Sequence, residues 1–223
     1  MVKVITFLKR KTGMPVDDFQ QYWRTRHPGV VTQLPGVRRY IQSHTRPSAY
    51  RTGEPVWDGI AELWAEDTAA LRAMTQSPEY ARVQADEANF IDRATMAFIV
   101  AEDHLVKDGP VQADAVKCVE FLTRKPDLPV EQFQRHWREV HGPLAARIPA
   151  LRRYVQNHTR RSAYEAGRTP LYDGVAITWF DSTEAIRSAA TTPEYERAVA
   201  DRPHFLAAIP MRVILTREYV IVA

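Results

Sequence analysis

FQQYWRTRHPGVVTQLPGVRRYIQSH, residues 19–44, is answered at residues 133–158 by FQRHWREVHGPLAARIPALRRYVQNH. Phe, Trp, His, Pro, Arg, Tyr, Gln and His recur at one offset of 114 residues, from Phe19 and Phe133 through to His44 and His158. A period of about a hundred residues is too long for a solenoid and suits a duplicated domain. One extra residue after Tyr164 moves the offset to 115, so Asp173-Gly174 answers Asp58-Gly59, and Pro193, Tyr195 and Phe205 answer Pro78, Tyr80 and Phe90. The repeat divides the chain into halves at 1–101 and 116–223. Residues 102–115, charged and containing Gly and Pro without periodicity, read as a linker.

Ahead of the quoted stretch, Val2 to Lys9 is short and rich in β-branched residues, which predicts a strand. Pro15 suits the first turn of a helix, with Asp17 and Asp18 at its positive end. At about 100° per residue, Val16, Phe19, Gln20, Trp23 and His27 share one stripe. His27 therefore continues the apolar face until Pro28 and Gly29 end the helix. Val37 to His44 alternates with period two, placing Arg38, Tyr40, Gln42 and His44 on one face of a second strand. Thr45 to Trp57 reads as a polar loop, Asp58-Gly59 as a turn, and Ile60 to Trp64 as a third strand. Asp67 or Thr68 caps a helix through Met74, Pro78 starts another to about Phe90, and Met96 to Ala101 forms a fourth strand. The second half repeats the series from Val116 onward. Each half thus reads β-α-β-β-α-β, the ferredoxin-like pattern. Such a half covers one sheet face with helices, so two halves can bury their remaining faces as an α+β barrel.

Composition excludes several classes. With 45% hydrophobic and 26% charged residues the chain is an ordinary globular one, and each half, at ~110 residues, can bury a core. A net charge of +3 from 30 basic and 27 acidic residues, interspersed without a basic arm, gives no case for nucleic acid. Cys118 is the only cysteine, so there is no internal disulfide and no thiolate cluster for a metal. No stretch reaches the ~20 apolar residues that cross a bilayer, and the expected location is the cytoplasm.

At F-x-x-x-W-x-x-x-H-P, the following R-R-Y-I-Q-x-H, the DGIAELW strand and SPEYARVQADEANFID, the sequence resembles the EthD family of the dimeric α+β barrel superfamily. The resemblance runs nearly full length, once per half. Most members of the family carry one such domain and pair between chains, so it implies a fused pseudo-dimer that leaves room for a further homodimer. It also implies a helix–sheet cavity in each half that takes a small-molecule substrate, often with no metal or organic cofactor. Relatives in the superfamily include dehydratases, isomerases, cyclases, cofactor-free oxygenases and haem enzymes, so the substrate does not follow from the fold.

The candidate chemistry rests on His27, Tyr40, His44 and Glu62. An imidazole titrates near pH 6.5 and can give and take protons. A tyrosine hydroxyl can orient a carbonyl or phenol, and His44 sits on the same strand face, ~13 Å from Tyr40 at ~3.3 Å per residue. Glu62 lies on a half-buried strand and needs a partner or a raised pKa. Trp23, Arg38 and Gln42 are the expected substrate-binding residues around them, with His141, Tyr154 and His158 their counterparts in the second half. No His or carboxylate spacing supports a metal site. Asp58 and Asp173 read as turn residues, and Asp86 and Glu87 as a solvated helix face. Glu62 faces Ile177 across the repeat, Glu87 faces Arg202 and Thr6 faces Glu120, which favours the first half as the chemical one. The expected function is a cofactor-independent lyase or isomerase working by proton transfer on a small, largely apolar oxygenated or aromatic compound. A cofactor-free monooxygenase of an electron-rich phenol and a non-catalytic binding protein are the other readings.

Overall fold

The computed structural model describes all residues from Met1 to Ala223. The chain folds into eight β-strands with helices between them. The chain divides into two compact units, Met1–Val100 with Glu218–Ala223, and Ala101–Arg217.

In the first unit β1 (Val2–Leu8) leads to α1 (Val16–Thr25), the short α2 (Pro28–Val31) and β2 (Arg39–Thr45). Then come β3 (Gly59–Ala65), α3 (Thr68–Thr75), α4 (Pro78–Glu87) and the start of β4 (Ala97–Lys107). β3 pairs antiparallel with both β1 and β2, Phe7 opposite Ile60 and Tyr40 opposite Leu63. The helix starts follow local chemistry: Asp67 accepts from the Ala70 amide and Ser77 from the Tyr80 amide, with Pro78 in the first turn of α4. The expected first helix differs in one respect. It ends at Thr25, and His27 sits on the junction where Pro28 opens α2 rather than merely stopping α1. Pro15 precedes α1, and Phe19 and Trp23, four residues apart on it, are fully buried. They form one aromatic cluster with Phe90, the Phe19–Trp23 and Phe19–Phe90 ring centroids lying 5.6 and 5.8 Å apart.

The second unit holds β5 (Val116–Leu122), α5 (Val130–His136), α6 (Gly142–Ala146), β6 (Arg153–Thr159), α7 (Arg161–Glu165), β7 (Gly174–Phe180), α8 (Thr183–Ala189), α9 (Pro193–Asp201) and most of β8 (Arg212–Val222). β7 pairs antiparallel with β5 and β6. The helix expected through His141 is α-helical only to His136 and continues as a π-helical turn over Trp137–His141. The expected linker is also partly strand. Glu102–Lys107 continues β4 and pairs with β6, Ala101 opposite Thr159, with a bulge between Leu105 and Lys107. Charged residues hid this segment, because ladder hydrogen bonds come from the backbone and Glu102 and Asp103 remain exposed. No helix is long and apolar enough to cross a membrane.

Candidate functional site

Asp58, in the expected turn, is a bend that leads into β3 at Gly59, and the pair shapes the site through close approach. A Cβ on Gly59 would lie 2.5 Å from Cζ3 of Trp23 and 2.6 Å from the Ser43 carbonyl oxygen. Only glycine lets the indole lie flat on the strand start, and Gly174 does the same for Trp137. Asp58 is fully buried and ties the strand ends together, accepting from the Arg10 amide at 2.8 Å, the Arg10 guanidinium at 2.7 Å and the Tyr50 hydroxyl at 2.6 Å.

Beside that indole the first unit contains a cavity of about 190 Å³ between helices and sheet. Its wall is largely apolar, including Val4, Leu63, Met74 and Val83, and its polar members are Thr6, His27, Tyr40, Thr75, Tyr80 and Glu87. A chain of hydrogen bonds behind the wall fixes the direction of the Tyr40 hydroxyl. The Gln42 amide nitrogen donates to the Trp23 carbonyl at 2.8 Å and to Tyr40 Oη at 3.1 Å, so its carbonyl oxygen must accept from His44 Nε2–H at 3.0 Å. Trp23 Nε1–H donates to Tyr40 Oη as well, at 3.3 Å. With both acceptor positions used, Tyr40 has its own proton left to donate to a ligand oxygen. Burial, with the charges of Glu87 and Asp86 adding, pushes its pKa up to about 12 against the hydrogen bonds from Gln42 and Trp23, so the hydroxyl stays protonated.

His27 is held from the other side. Its Nδ1 lies 2.7 Å from Asp86 Oδ2, and Asp86 Oδ1 accepts from the Tyr22 hydroxyl at 2.7 Å. Facing a carboxylate, Nδ1 carries the proton of the neutral ring and Nε2 keeps its lone pair, the form a general base needs. Burial lowers the His27 pKa below its usual 6.5, and Asp86 opposes the shift. Glu87, half-buried on the same wall, is raised from the usual 4.5 to about 7 by burial and by Asp86, with Arg93 opposing from 4.0 Å. A carboxyl group poised near neutrality can serve as acid or base.

The structure thus brings Trp23, His27 and Tyr40 to one cavity and puts Gln42 and His44 behind it. His44 stacks on Trp23 with ring centroids 4.2 Å apart, and burial, with Arg24 adding, drives its pKa down to about 3. Two expected site residues lie elsewhere. Ala61 and Leu63 line the cavity, so the strand alternation turns Glu62 to the opposite face of β3, where it is buried and pairs with Lys3 Nζ at 2.7 Å. Arg38 precedes β2, is 58% exposed and pairs with Glu66 at 3.2 Å on the surface. Asp86 and Glu87, read as a solvated face, are the residues that sequence reasoning missed. The signal was present: Glu87 follows Val83 by one helical turn and so shares its inward face.

The second unit repeats the supports but not the cavity chemistry. Trp137 Nε1–H donates to Tyr154 Oη at 2.9 Å, and His141 and His136 both reach Asp201, at 3.0 and 2.9 Å. Where Thr6 and Glu87 stand in the first unit, Glu120 and Arg202 form an ion pair at 3.2 Å. Nowhere do three His, Cys, Asp or Glu side chains gather where they could hold a metal ion.

The EthD domain profile matches the chain twice, over residues 11–94 and 125–208. No functionally curated protein is detectably similar in sequence. Among solved structures, an anthrone oxidase-like protein superimposes with a TM-score of 0.67 at 11% identity, covering 99% of this chain and 93% of its own. A candidate monooxygenase from Lactobacillus acidophilus NCFM gives 0.59 at 13% identity over 98% and 94%. One from Fusobacterium nucleatum gives 0.61 at 8% over 98% and 92%. At such identities the likeness is one of fold.

Proposed function

We propose, of a chain that belongs to the EthD family, that its first unit is a cofactor-independent lyase or isomerase acting by proton transfer on a small, largely apolar oxygenated or aromatic compound. The observation that carries the reading is one apolar cavity whose wall holds a lone-pair imidazole nitrogen, a committed hydroxyl donor and a carboxyl group near neutrality. Tyr40 donates to the substrate's carbonyl or phenolic oxygen and stabilises the enolate that forms there. Nε2 of His27 removes the neighbouring carbon-bound proton, and Asp86 steadies the imidazolium. Protonated Glu87 delivers a proton to a departing hydroxyl in a dehydration, or to another carbon in an isomerisation. His44 and Gln42 act as positioning residues for Tyr40.

The names borne by the superimposed structures make oxygenation of a phenol the reading to separate from this one. Exchange of the α-protons of β-tetralone for deuterium, followed by proton NMR, tests the general-base step on an apolar enolisable ketone. The wild type should accelerate exchange and His27→Ala should lose the acceleration. Equal acceleration by wild type and His27→Ala would overturn the proposal, as would oxygen uptake with a phenol in the absence of any exchange activity.

A further inference from the structure

The second unit has a cleft unlike the cavity of the first. It encloses about 500 Å³ and is lined by polar groups, among them Arg135, Arg138, His158, Arg160, Arg161 and Ser162. Two of the arginines are matched by carboxylates on the same wall, Arg160 with Glu102 at 3.1 Å and Arg161 with Glu131 at 3.5 Å. Arg135 has no ion pair, and Arg138 meets only the exposed Glu139, at 3.0 Å. At the base of the cleft His158 is 3% exposed, and its Nδ1 has no hydrogen-bond partner.

The tautomer follows from the neighbours. Gln156 spends its amide hydrogens on the Trp137 carbonyl at 2.7 Å and Tyr154 Oη at 3.2 Å, so its oxygen accepts from His158 Nε2–H at 3.0 Å. Nδ1 is therefore a bare lone pair, buried in the wall of a polar cleft that Glu102, Glu131 and Glu165 share with the four arginines. Leaving such an acceptor unmatched is costly, and native structures rarely do so without a reason. Burial first, then the charges of His104 and Arg138, hold His158 down to about 3, so the nitrogen remains an acceptor throughout the physiological range. An ammonium donor would meet Arg138 as a like charge, whereas an uncharged hydroxyl would not.

We infer that this cleft binds a small hydroxycarboxylate, its carboxylate held by Arg135 and Arg138 and its hydroxyl donating to Nδ1 of His158. The site is specific to the second unit. At the repeat-equivalent positions Arg135 becomes Gln21 and Arg161 becomes Pro47, and Arg24, the counterpart of Arg138, lies over the Tyr219 ring at 5.3 Å. It is separate in residues from the proposed proton-transfer cavity and stands or falls independently of it.

Three matched pairs of probes test the inference on the intact chain: mandelate against phenylacetate, and salicylate and 4-hydroxybenzoate each against benzoate. Binding is followed by calorimetry and by the nitrogen-15 shift of His158 Nδ1. At least one hydroxy acid should bind about tenfold more tightly than its deoxy partner, the worth of one buried hydrogen bond, and should move the Nδ1 resonance. The double variant Arg135→Gln, Arg138→Gln, which changes only surface-side groups, should weaken both members of that pair about equally. His158→Phe should erase the difference within the pair, and the ligand pairs themselves carry the test if that variant does not fold. Equal affinities within every pair, an unmoved Nδ1 signal, binding indifferent to the double variant, or no saturation at tens of millimolar would each overturn it.

Discussion

Glu87→Gln should stabilise the protein above neutral pH while impairing it as a catalyst. The carboxyl group titrates near 7 in the folded chain against an ordinary value of 4.5, chiefly because it is buried in the cavity wall. Below pH 4.5 folded and unfolded chains are both protonated, and the group has no effect on stability. Between 4.5 and 7 the unfolded chain releases its proton and the folded chain keeps it, so stability falls as pH rises. Above 7 both are ionised and the full cost of burying the carboxylate stands. At about 1.4 kcal/mol per pH unit that cost is about 3 kcal/mol, an upper figure because relaxation and water penetration around the carboxylate reduce it. Glutamine has nearly the shape of the protonated acid and carries no charge. Urea denaturation from about pH 4 to about pH 8 should therefore show the variant equal to wild type at the acid end and more stable by up to about 3 kcal/mol at the alkaline end. A difference that is absent at pH 8, or the same at every pH, would refute the burial argument.

The remaining predictions concern the histidines, the glycine under the tryptophan and the displaced glutamate. His27→Ala should cost about 10²–10⁴ in rate. The wild-type profile should rise on an acid limb below pH 6.5 as His27 loses its proton, and fall near 7 as Glu87 ionises. A profile flat from about pH 5 to about pH 8 in folded protein would contradict both roles. His141→Ala should leave turnover within a few-fold, since the Glu120–Arg202 ion pair takes the place of Thr6 and Glu87 in that unit; equal losses from the two alanine variants would remove the assignment to the first unit. Gly59→Ala should destabilise by at least about 1–3 kcal/mol in urea titrations, because its Cβ would press on Trp23 and a backbone carbonyl that cannot both retreat. An unchanged midpoint would show that the indole moves freely. Glu62→Gln should cost about 3–5 kcal/mol by breaking the buried pair with Lys3, while leaving the catalytic pH profile unaltered. A shifted profile would return Glu62 to the chemistry.

Much of the architecture is local and so was legible in the chain itself. The 114-residue repeat, the two-residue alternation of β2 and the helical stripe of Phe19 and Trp23 specify two ferredoxin-like series, because side-chain period and burial are properties of neighbouring residues. The same reasoning placed Trp23, His27 and Tyr40 on inward faces, and the cavity wall contains all three. What the sequence alone did not decide depends on contacts distant along the chain. Alternation showed that Glu62 is buried but not on which side of the sheet, and only β3 packing against β1 reveals Lys3 as its partner. Asp86 and Glu87 look like any solvated helix pair until α4 is laid over the cavity, where one holds His27 across 59 residues of sequence and the other loses its water. Charge on Glu102 and Asp103 likewise suggested a loop, although the backbone there completes a ladder with β6. Local sequence dictates periodicity, but desolvation and partner choice, which set the pKa values and hence the chemistry, exist only once the elements are packed together.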